Sequence, residues 1–349
     1  MKVLFNCIDV KNRSGGIART AKIVENYLNK KNYSVYLNSL NGFDKRLIKS
    51  KKTFSSNNSK ILFSIRNNIL QLFSEKVIYY HPALVRSHLF TSKQYLSFIF
   101  GIDAWNIKNN SRLKLIKNAN SIFSCSKFTI SKMERIFQEK ITNAQCIWPG
   151  TDTDKIPKKK QIRTDEKFNI LIVGRIVNSL KGHDILIESF KKLIRSFNNL
   201  RLIIVGEGEY KKKLEINVQN NNLNDHILFT GFVNENDMDK IWSMADLFVM
   251  PSKTEGFGLV YIEAMRHSIP IICSNEDAGC EINQDGYSGF NVNLDNKDEL
   301  TPKIAELIKN KEMRTKMGIN ANKLWKEKFN LTAYEKRLEN FLIPKLIGL

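Results

Sequence analysis

The chain has 349 residues and a mass of 40.4 kDa, with 55 Lys and Arg against 35 Asp and Glu, for a formal net charge of +20. This length excludes a minidomain whose core depends on a metal or on disulfides, and 42% hydrophobic residues exclude a chain that is disordered throughout. At about 100–200 residues per domain, the length predicts two domains.

The excess positive charge lies entirely in the first half of the chain. Residues 1–165 contain 30 Lys and Arg and 10 Asp and Glu, whereas residues 166–349 contain 25 of each kind. A basic half beside a neutral half indicates two domains with different partners. The basic half is expected to contact something acidic: a nucleic acid, an anionic membrane surface or a charged substrate.

Short β-branched runs alternate with amphipathic stretches along the first half, which predicts an α/β domain. Residues 41–58 are polar and basic, and residues 151–167 lack apolar periodicity, so the latter are the predicted linker. A helix is predicted from Ile17 to about Asn29. The predicted strands are Val3–Ile8, Val35–Leu40, Val77–Tyr80, Tyr95–Phe100 and Ser121–Cys125.

The second half repeats this alternation more clearly. A helix is predicted from about Gly182 to Phe197, and the chain after about Asn296 is predicted to be helical throughout. In doubly wound parallel sheets, the turns that follow the strands lie at the ligand-binding edge. The predicted strands are Phe168–Val173, Leu200–Val205, Ile227–Thr230, Leu247–Met250 and Ile269–Cys273.

Cysteine usage and apolar runs bear on the location of the protein. The five cysteines are an odd number without C-x-x-C spacing, which favours a reducing cytoplasm, and Cys7 and Cys125 are predicted to be buried in strands. The apolar run at the start is too short for a signal peptide, and no stretch approaches the ~18 apolar residues that cross a bilayer. We therefore expect a soluble or peripheral protein.

Other patterns favour structural roles over functional ones. Gly206-Glu207-Gly208 lacks the third glycine of a dinucleotide-binding loop and is interpreted as a tight turn. Of the two D-x-D strings, Asp152-Thr153-Asp154 lies in the predicted linker and Asp237-Met238-Asp239 opens a helix, so no metal is predicted. The histidine spacing does not fit a zinc site, and no nucleic-acid-binding motif accompanies the basic charge.

The strongest functional pattern lies between Met250 and Met265, where the chain leaves a predicted strand and opens a predicted helix. Glu255 stands at the strand end, and the amides of residues 256–259 form a helix N-terminus that suits an anion. Glu263 follows eight residues later, about two helical turns on. Two carboxylates around an anion site suit a nucleotide sugar, and a capped helix with two surface glutamates is the alternative.

This segment resembles the E-x7-E motif of retaining glycosyltransferase family 4. The resemblance covers most of residues 168–293 and implies the α/β GT-B fold: two Rossmann-like, doubly wound parallel-sheet domains that face a central cleft. Further stretches resemble other motifs of the family in the expected order: the strand–GR–loop–KG segment at 170–175 and 180–184, the VGxG turn at 203–208, the nucleoside-facing turn at 229–233 and the glycine-rich stretch at 279–289.

The resemblance implies roles for individual residues. Arg175 and Lys181 would bind the donor diphosphate and stabilise the charge of the leaving nucleoside diphosphate, so that no metal is required. Glu263 would accept hydrogen bonds from the ribose hydroxyls, and Glu255 from the sugar hydroxyls. Backbone contacts to the sugar, phosphate or base would come from Phe257, Gly258, Leu259 and Val233.

The first half resembles the family more weakly. Gly15 and Gly16 follow the first strand and resemble the family's glycine pair, which approaches donor and acceptor. The segment that begins at Phe100 resembles the H-G-I-[E/D]-x-W motif, with Phe100 at the histidine position and Asp103 at the acidic one. Phenylalanine can neither hydrogen-bond a sugar nor transfer a proton. Three alternatives stay open: His81 substitutes, the chemistry tolerates the loss, or the enzyme is weak or inactive.

Together these patterns predict a cytoplasmic bacterial glycosyltransferase that moves a sugar from a nucleoside-diphosphate sugar, UDP being the best guess, to a glycan or lipid-linked glycan. We expect an acceptor domain over residues 1–160, a donor domain over 161–325 and a C-terminal helix over 326–349 that returns to the first domain. The basic surface around residues 45–60 is expected to meet an anionic membrane or an acidic acceptor. The alternatives are a catalytically silent glycan- or membrane-binding partner and, less favoured, a nucleic-acid-binding protein.

Overall fold

The structure is a computed structural model that describes residues 1–11, 15–88, 93–107, 110–157, 167–296 and 298–348. The chain forms two compact units, one of Met1–Thr153 with Asn330–Leu349 and the other of Asp154–Phe329. Each unit is built on one parallel sheet with helices, which confirms the predicted α/β class.

Seven strands form the sheet of the first unit in the order β3-β2-β1-β4-β5-β6-β7, and all neighbouring pairs are parallel. The strands are β1 (Lys2–Val10), β2 (Ser34–Phe43), β3 (Lys52–Ser55), β4 (Lys76–Tyr79), β5 (Tyr95–Ile99), β6 (Ser121–Ser124) and β7 (Ala144–Cys146). The helices are α1 (Gly16–Lys30), α2 (Lys60–Leu72), α3 (Ile102–Trp105), α4 (Asn110–Lys117) and α5 (Lys127–Phe137), with a 3-10 helix over Pro82–Ser87.

Six parallel strands form the sheet of the second unit in the order β10-β9-β8-β11-β12-β13. They are β8 (Phe168–Val173), β9 (Leu200–Val205), β10 (Ile227–Gly231), β11 (Leu247–Met250), β12 (Ile271–Ser274) and β13 (Gly289–Val292). The helices are α6 (His183–Leu193), α7 (Lys211–Asn220), α8 (Glu235–Met244), α9 (Leu259–Arg266), α10 (Gly279–Ile282), α11 (Leu300–Lys309) and α12 (Lys311–Leu324), with a 3-10 turn at Ser179–Lys181.

The end of the chain belongs to the first unit. After a π-helical stretch over Trp325–Phe329, helix α13 (Leu331–Arg337) passes through a π-helical turn into α14 (Ile343–Ile347). This segment is amphipathic at the spacing of a helix, because every fourth residue from Tyr334 to Leu346 is buried in the core of the first unit. The Tyr334 hydroxyl lies 3.3 Å from that of Tyr80 at the end of β4.

The sheets are buried on both faces, as parallel sheets require. In β1 and β8 the side chains of Val3, Leu4, Phe5, Ile170 and Leu171 are fully inaccessible, which explains why their continuous apolar runs were readable as strands. The predicted burial of Cys7 and Cys125 is confirmed. No helix among the described residues combines the length and apolar character needed to span a bilayer.

The observed elements differ from the sequence-based expectations in several places. The stretch 41–58 contains the edge strand β3, whose residues Lys-Thr-Phe-Ser lack an apolar alternation. Strand β12 begins at Ile271, two residues late, because Pro270 has no N–H for the ladder. Helix α6 ends at Leu193 and not at Phe197.

Candidate functional site

Each sheet has one position where the strand order reverses, and in doubly wound folds ligands bind beside the carboxyl ends of the strands at that position. In the second unit this position is β8, which lies between β9 and β11. Arg175 follows β8, and Glu255 lies in the loop after β11. The topology therefore brings two sequence-predicted site residues to adjacent strand ends.

The turns at this edge are joined by backbone hydrogen bonds. The Gly174 N–H donates to the Val205 carbonyl (3.0 Å), the Ile176 N–H to the Glu207 carbonyl (2.9 Å), and the Gly206 N–H to the carbonyl of Gly231 (2.9 Å). The ends of β8, β9 and β10 are thus held as one surface. The string at 206–208 is a tight turn at the carboxyl edge of the sheet.

The loop that carries Lys181 is tied to the loop that carries Glu255. The Lys253 N–H donates to the Leu180 carbonyl (2.9 Å), and the Ser252 hydroxyl donates to the same oxygen (3.2 Å). Across this junction the Lys181 ammonium forms an ion pair with the Glu255 carboxylate, and both side chains are half-buried. The structure therefore brings together two residues that are 74 positions apart in sequence.

Burial lowers the pKa of Lys181 to about 8, and the charge of Arg175 acts in the same direction, while Asp277 opposes it. Arg175 is therefore close enough to Lys181 to disfavour the charge of its ammonium group. A pair of cations held in this way gains stability when an anion of two charges binds between them. Arg175 itself is exposed and available to such a ligand.

Asp277 is a site residue that the sequence did not reveal. It lies in the loop after β12, where its Oδ2 accepts from the Glu255 N–H (3.1 Å) and its Oδ1 from the Gly279 N–H (2.8 Å). The Ala278 N–H donates a hydrogen bond to the Glu255 carbonyl (3.1 Å). Asp277 therefore positions the backbone of Glu255. The only sequence feature that could have indicated this role is the position of Asp277, shortly after a predicted strand and two residues before Gly279.

Burial raises the pKa of Asp277 to about 7 from an ordinary 3.8, despite hydrogen bonds from Gly279 and Ser252 that lower it. Between these two values the native protein binds a proton that the unfolded chain has lost, so stability falls as pH rises. We expect urea unfolding to show wild type losing more stability than Asp277→Asn between pH 5 and pH 8. The exposed Asp225→Asn is the control, and equal pH slopes for Asp277→Asn and wild type would contradict the raised pKa.

Helix α9 begins directly after the Glu255 loop. Gly258 has φ +89° and precedes the helix without a side-chain cap, so the first-turn N–H groups that begin at Leu259 have no capping side chain. The Phe257 side chain is buried and packs edge-on against Phe329, with ring centroids 6.1 Å apart, which leaves only its backbone for a ligand. Glu263 lies one turn into α9 and is half-buried.

Val233 lies in the turn between β10 and α8, half-buried beside an exposed Phe232. Its place beyond the end of β10 puts it at the same edge of the sheet as Arg175, two strands away. Apart from Glu263, which lies one turn into α9, the predicted donor-contacting residues of the second unit thus occupy loops or helix starts on one edge.

The first unit brings two further predicted residues together. His81 follows β4 next to the strand-order reversal at β1, and its Nε2 lies 3.6 Å from Asp103 Oδ2. The Ala83 N–H donates to Nδ1 (3.0 Å), so the ring proton of neutral His81 is on Nε2. Burial and the charge of Arg112 lower the pKa of His81 to about 4, so the imidazole is neutral at pH 7 and carries its proton on Nε2.

Phe100 occupies the end of β5 as part of an aromatic cluster. Its ring centroid lies 5.0 Å from that of Tyr80 and 6.2 Å from that of Phe98, and it packs at the rim of the core of the first unit. Phe100 therefore has a packing role that a histidine would perform less well. Gly15 and Gly16 are exposed at the start of α1.

One aspartate in each D-x-D string contacts cationic side chains of the chain. Asp152 lies 3.8 Å from Lys22, and Asp239 accepts from Arg266 (2.8 Å) and lies within hydrogen-bond distance of His267 (3.0 Å). These contacts give the strings a structural role. Within the described residues, no cluster of His, Cys, Asp or Glu has the arrangement of a metal site.

Comparison with known protein families identifies the domain that carries this cluster of residues. Residues 152–324 match the model of the family described as Glycosyl transferases group 1. The second unit therefore contains a group 1 glycosyl transferase domain. The matched residues contain Arg175, Lys181, Glu255 and Asp277, so the clustered edge of the second unit lies inside the region that defines the family.

Proteins similar to this chain are named as glycosyltransferases. It is 28% identical to an uncharacterized glycosyltransferase of Methanocaldococcus jannaschii over 76% of this chain and 74% of that protein. It is 27% identical to the GDP-mannose-dependent α-(1-6)-phosphatidylinositol monomannoside mannosyltransferase of Mycobacterium tuberculosis over 55% of this chain and 54% of that protein. The alignment thus spans about half the length of the mycobacterial relative.

Among solved structures, this chain resembles HepE of Anabaena, which was solved in complex with UDP and glucose. The TM-score is 0.83 at 16% sequence identity, and the superposition covers 98% of this chain and 99% of HepE. A sucrose-phosphate synthase from Thermosynechococcus elongatus gives 0.81 at 17% identity, covering 99% of each chain. This likeness shows that the fold is GT-B, as the sequence resemblance implied.

Proposed function

We propose that this protein is a retaining, metal-independent member of glycosyltransferase family 4. It transfers a hexosyl or N-acetylhexosaminyl group from a nucleoside-diphosphate sugar to a hydroxyl of a glycan or lipid-linked glycan. The observation that carries this proposal is the placement of Lys181, Arg175 and Glu255 at the strand-order reversal of the second unit, directly before the N-terminus of α9.

The cations of this edge act on the leaving group. As the bond between the anomeric carbon and the diphosphate oxygen breaks, the electron pair stays on the diphosphate. Arg175, Lys181 and the first amides of α9 stabilise that charge in place of a metal. In our proposal the new bond forms on the same face of the sugar, and the acceptor hydroxyl gives its proton to the departing phosphate oxygen.

Sugar recognition falls to groups that accept or donate hydrogen bonds without changing charge. Glu255 accepts from sugar hydroxyls once the diphosphate takes over its pairing with Lys181, and Glu263 accepts from the ribose. On the first unit, neutral His81 donates from Nε2 to an oxygen of the acceptor, with Asp103 beside it. A proton-accepting histidine is not required by this route, which is consistent with Phe100.

The names of similar proteins support two donor bases. HepE was solved with UDP and glucose, whereas the mycobacterial relative is named for GDP-mannose and for a phosphatidylinositol acceptor. We propose a UDP-sugar as donor, and a lipid-linked or surface-polysaccharide glycan as acceptor, used at the cytoplasmic face of the plasma membrane.

A donor screen tests the proposal. Thermal shift and donor hydrolysis are measured with UDP-, GDP- and ADP-glucose, with and without EDTA, followed by assignment of the anomeric configuration of any product by NMR. We expect binding and turnover with a UDP-sugar that EDTA leaves unchanged. If no nucleotide sugar binds, and if Glu255→Ala and Glu263→Ala have no effect on binding or turnover, the proposal fails.

A second candidate function rests on Phe100, which cannot replace the family histidine chemically. It is a catalytically silent partner in polysaccharide assembly that binds glycan or nucleotide sugar without turnover. Saturable donor binding combined with neither hydrolysis nor transfer across an acceptor panel would select this function over the first.

A further inference from the structure

Helix α2 carries apolar side chains on its exposed side as well as on its buried one, where Phe63 and Leu70 pack into the core of the first unit. The side chains buried against the first unit include two amides, those of Asn67 and Gln71, and Asn67 donates to the Ser87 carbonyl (2.9 Å). The opposite side consists of large apolar side chains exposed to solvent. These are Ile61, Leu62, Ile65, Ile69, Leu72 and Phe73.

The six side chains form one contiguous strip, because at 3.6 residues per turn they fall within an arc of about 120°. Ile61 is 76% exposed, Leu72 74% and Phe73 60%. Exposed large apolar residues elsewhere in the described ranges are spread over different elements, such as Ile216 on α7 and Ile319 on α12. A contiguous apolar strip marks an interaction surface, whereas scattered residues do not.

The strip adjoins the most basic part of the chain. Residues 45–74 contain seven Lys and Arg and no Asp or Glu. Strand β3 leads directly into α2, and Arg66 in the middle of α2 donates to the Ser55 carbonyl at the end of β3 (2.6 Å). Lys51 and Lys60, which flank this junction in sequence, are exposed.

The basic loop before β3 is held in place from inside. Glu25 of α1 is fully buried, and its carboxylate accepts from the backbone N–H groups of Lys49 (3.2 Å) and Ser50 (2.7 Å). The positive charge is therefore displayed on a fixed backbone, although its lysine side chains point into solvent.

We propose that α2 is an interfacial helix that lies in the plane of an anionic bilayer. Its apolar strip inserts among the acyl chains while the lysines around it bind lipid phosphates. A second copy of the chain is a poorer occupant, because a symmetric contact would place two acid-free basic segments together. This docking surface does not depend on the transfer chemistry, and its test uses neither donor nor acceptor.

Vesicle cosedimentation of the full chain tests the apolar strip. We expect tight binding to vesicles of phosphatidylglycerol with phosphatidylcholine and weak binding to phosphatidylcholine alone. The combined variant Ile61→Gln, Ile65→Gln and Ile69→Gln should lose at least ~10-fold in affinity, because three aliphatic side chains no longer enter the bilayer. The control replaces isoleucines of similar exposure in other elements, Ile216→Gln, Ile319→Gln and Ile347→Gln, and should bind like wild type.

A matched pair tests the charge. Lys45→Gln, Lys51→Gln and Lys60→Gln together should weaken binding to anionic vesicles by ~10-fold or more. Lys212→Gln, Lys311→Gln and Lys316→Gln should leave it unchanged. In a Phe73→Trp variant, brominated lipids should quench the added fluorescence if the helix inserts.

Three outcomes would overturn the proposal. In the first, wild type does not cosediment with either vesicle, and in the second, the α2 isoleucine variant binds as tightly as its control. In the third, wild type does not bind vesicles, and sedimentation velocity shows that it is a dimer whereas the isoleucine variant is a monomer. That result would assign the strip to self-association. Because no nucleotide sugar is present, loss of transfer activity in the donor screen leaves these results unaffected.

Discussion

Replacing Lys181 with methionine is expected to lower kcat/KM for sugar transfer by about 10²–10³-fold, because the leaving diphosphate loses a placed cation in a half-buried site. The variant leaves the Glu255 carboxylate without its ion-pair partner, so some stability is lost as well. Initial rates with the donor identified in the screen, together with thermal unfolding of the same samples, measure both effects.

The double variant Lys181→Met with Glu255→Gln separates the two causes. Removing the unpaired carboxylate should recover stability, while transfer stays low because the cation is still missing. Lys192→Met removes a lysine from a surface ion pair with Asp298 (3.5 Å) and should keep wild-type rates. Wild-type activity in Lys181→Met would refute the assignment of Lys181 to the diphosphate.

Gly206→Ala is expected to destabilise the second unit by about 3–5 kcal/mol, the sum of backbone strain and overpacking. Gly206 has φ +143°, and a Cβ there would stand 1.9 Å from the carbonyl oxygen of Gly174. The β8 turn would have to move, and it carries Arg175, so transfer should fall with stability. Urea unfolding followed by circular dichroism measures the change.

Gly286→Ala is the matched control for this substitution. Gly286 also has a positive φ of +70°, but a Cβ there meets nothing within 4 Å. It should cost only the ~1–2 kcal/mol of the left-handed conformation. Equal destabilisation by the two substitutions would mean that the close approach of the β8 and β9 turns is not what makes Gly206 necessary.

The donor-side motifs were predictable because each couples a continuous apolar strand to a glycine-bearing turn. Phe168–Val173, Leu200–Val205 and Leu247–Met250 are strands with the predicted bounds, and Arg175, Lys181 and Glu255 follow from the turns after them. Parallel strands place their carboxyl ends on one edge, so the clustering of these residues follows from strand assignment alone.

Two features could not be predicted from the sequence, each for a physical reason: the contact between Asp277 and Glu255, and the exposure of the apolar strip of helix α2. Asp277 contacts Glu255 because β12 lies beside β11 in the sheet. Neither segment's sequence indicates that these two strands are neighbours. Helix α2 has an amphipathic pattern, but a pattern does not say which face is buried. The buried face combines Phe63 and Leu70 with the amide of Asn67, which donates to the Tyr79 hydroxyl and the Ser87 carbonyl, while the isoleucines lie on the exposed face.

The order in which the chain enters its two units has a consequence for biosynthesis. The first unit needs residues from both ends of the sequence, since Tyr334, Leu338, Leu342 and Leu346 complete its core. A ribosome finishes the entire second unit before it releases these side chains. Part of the apolar surface of the N-terminal sheet therefore stays uncovered until residues 334–346 have been synthesised and packed onto it.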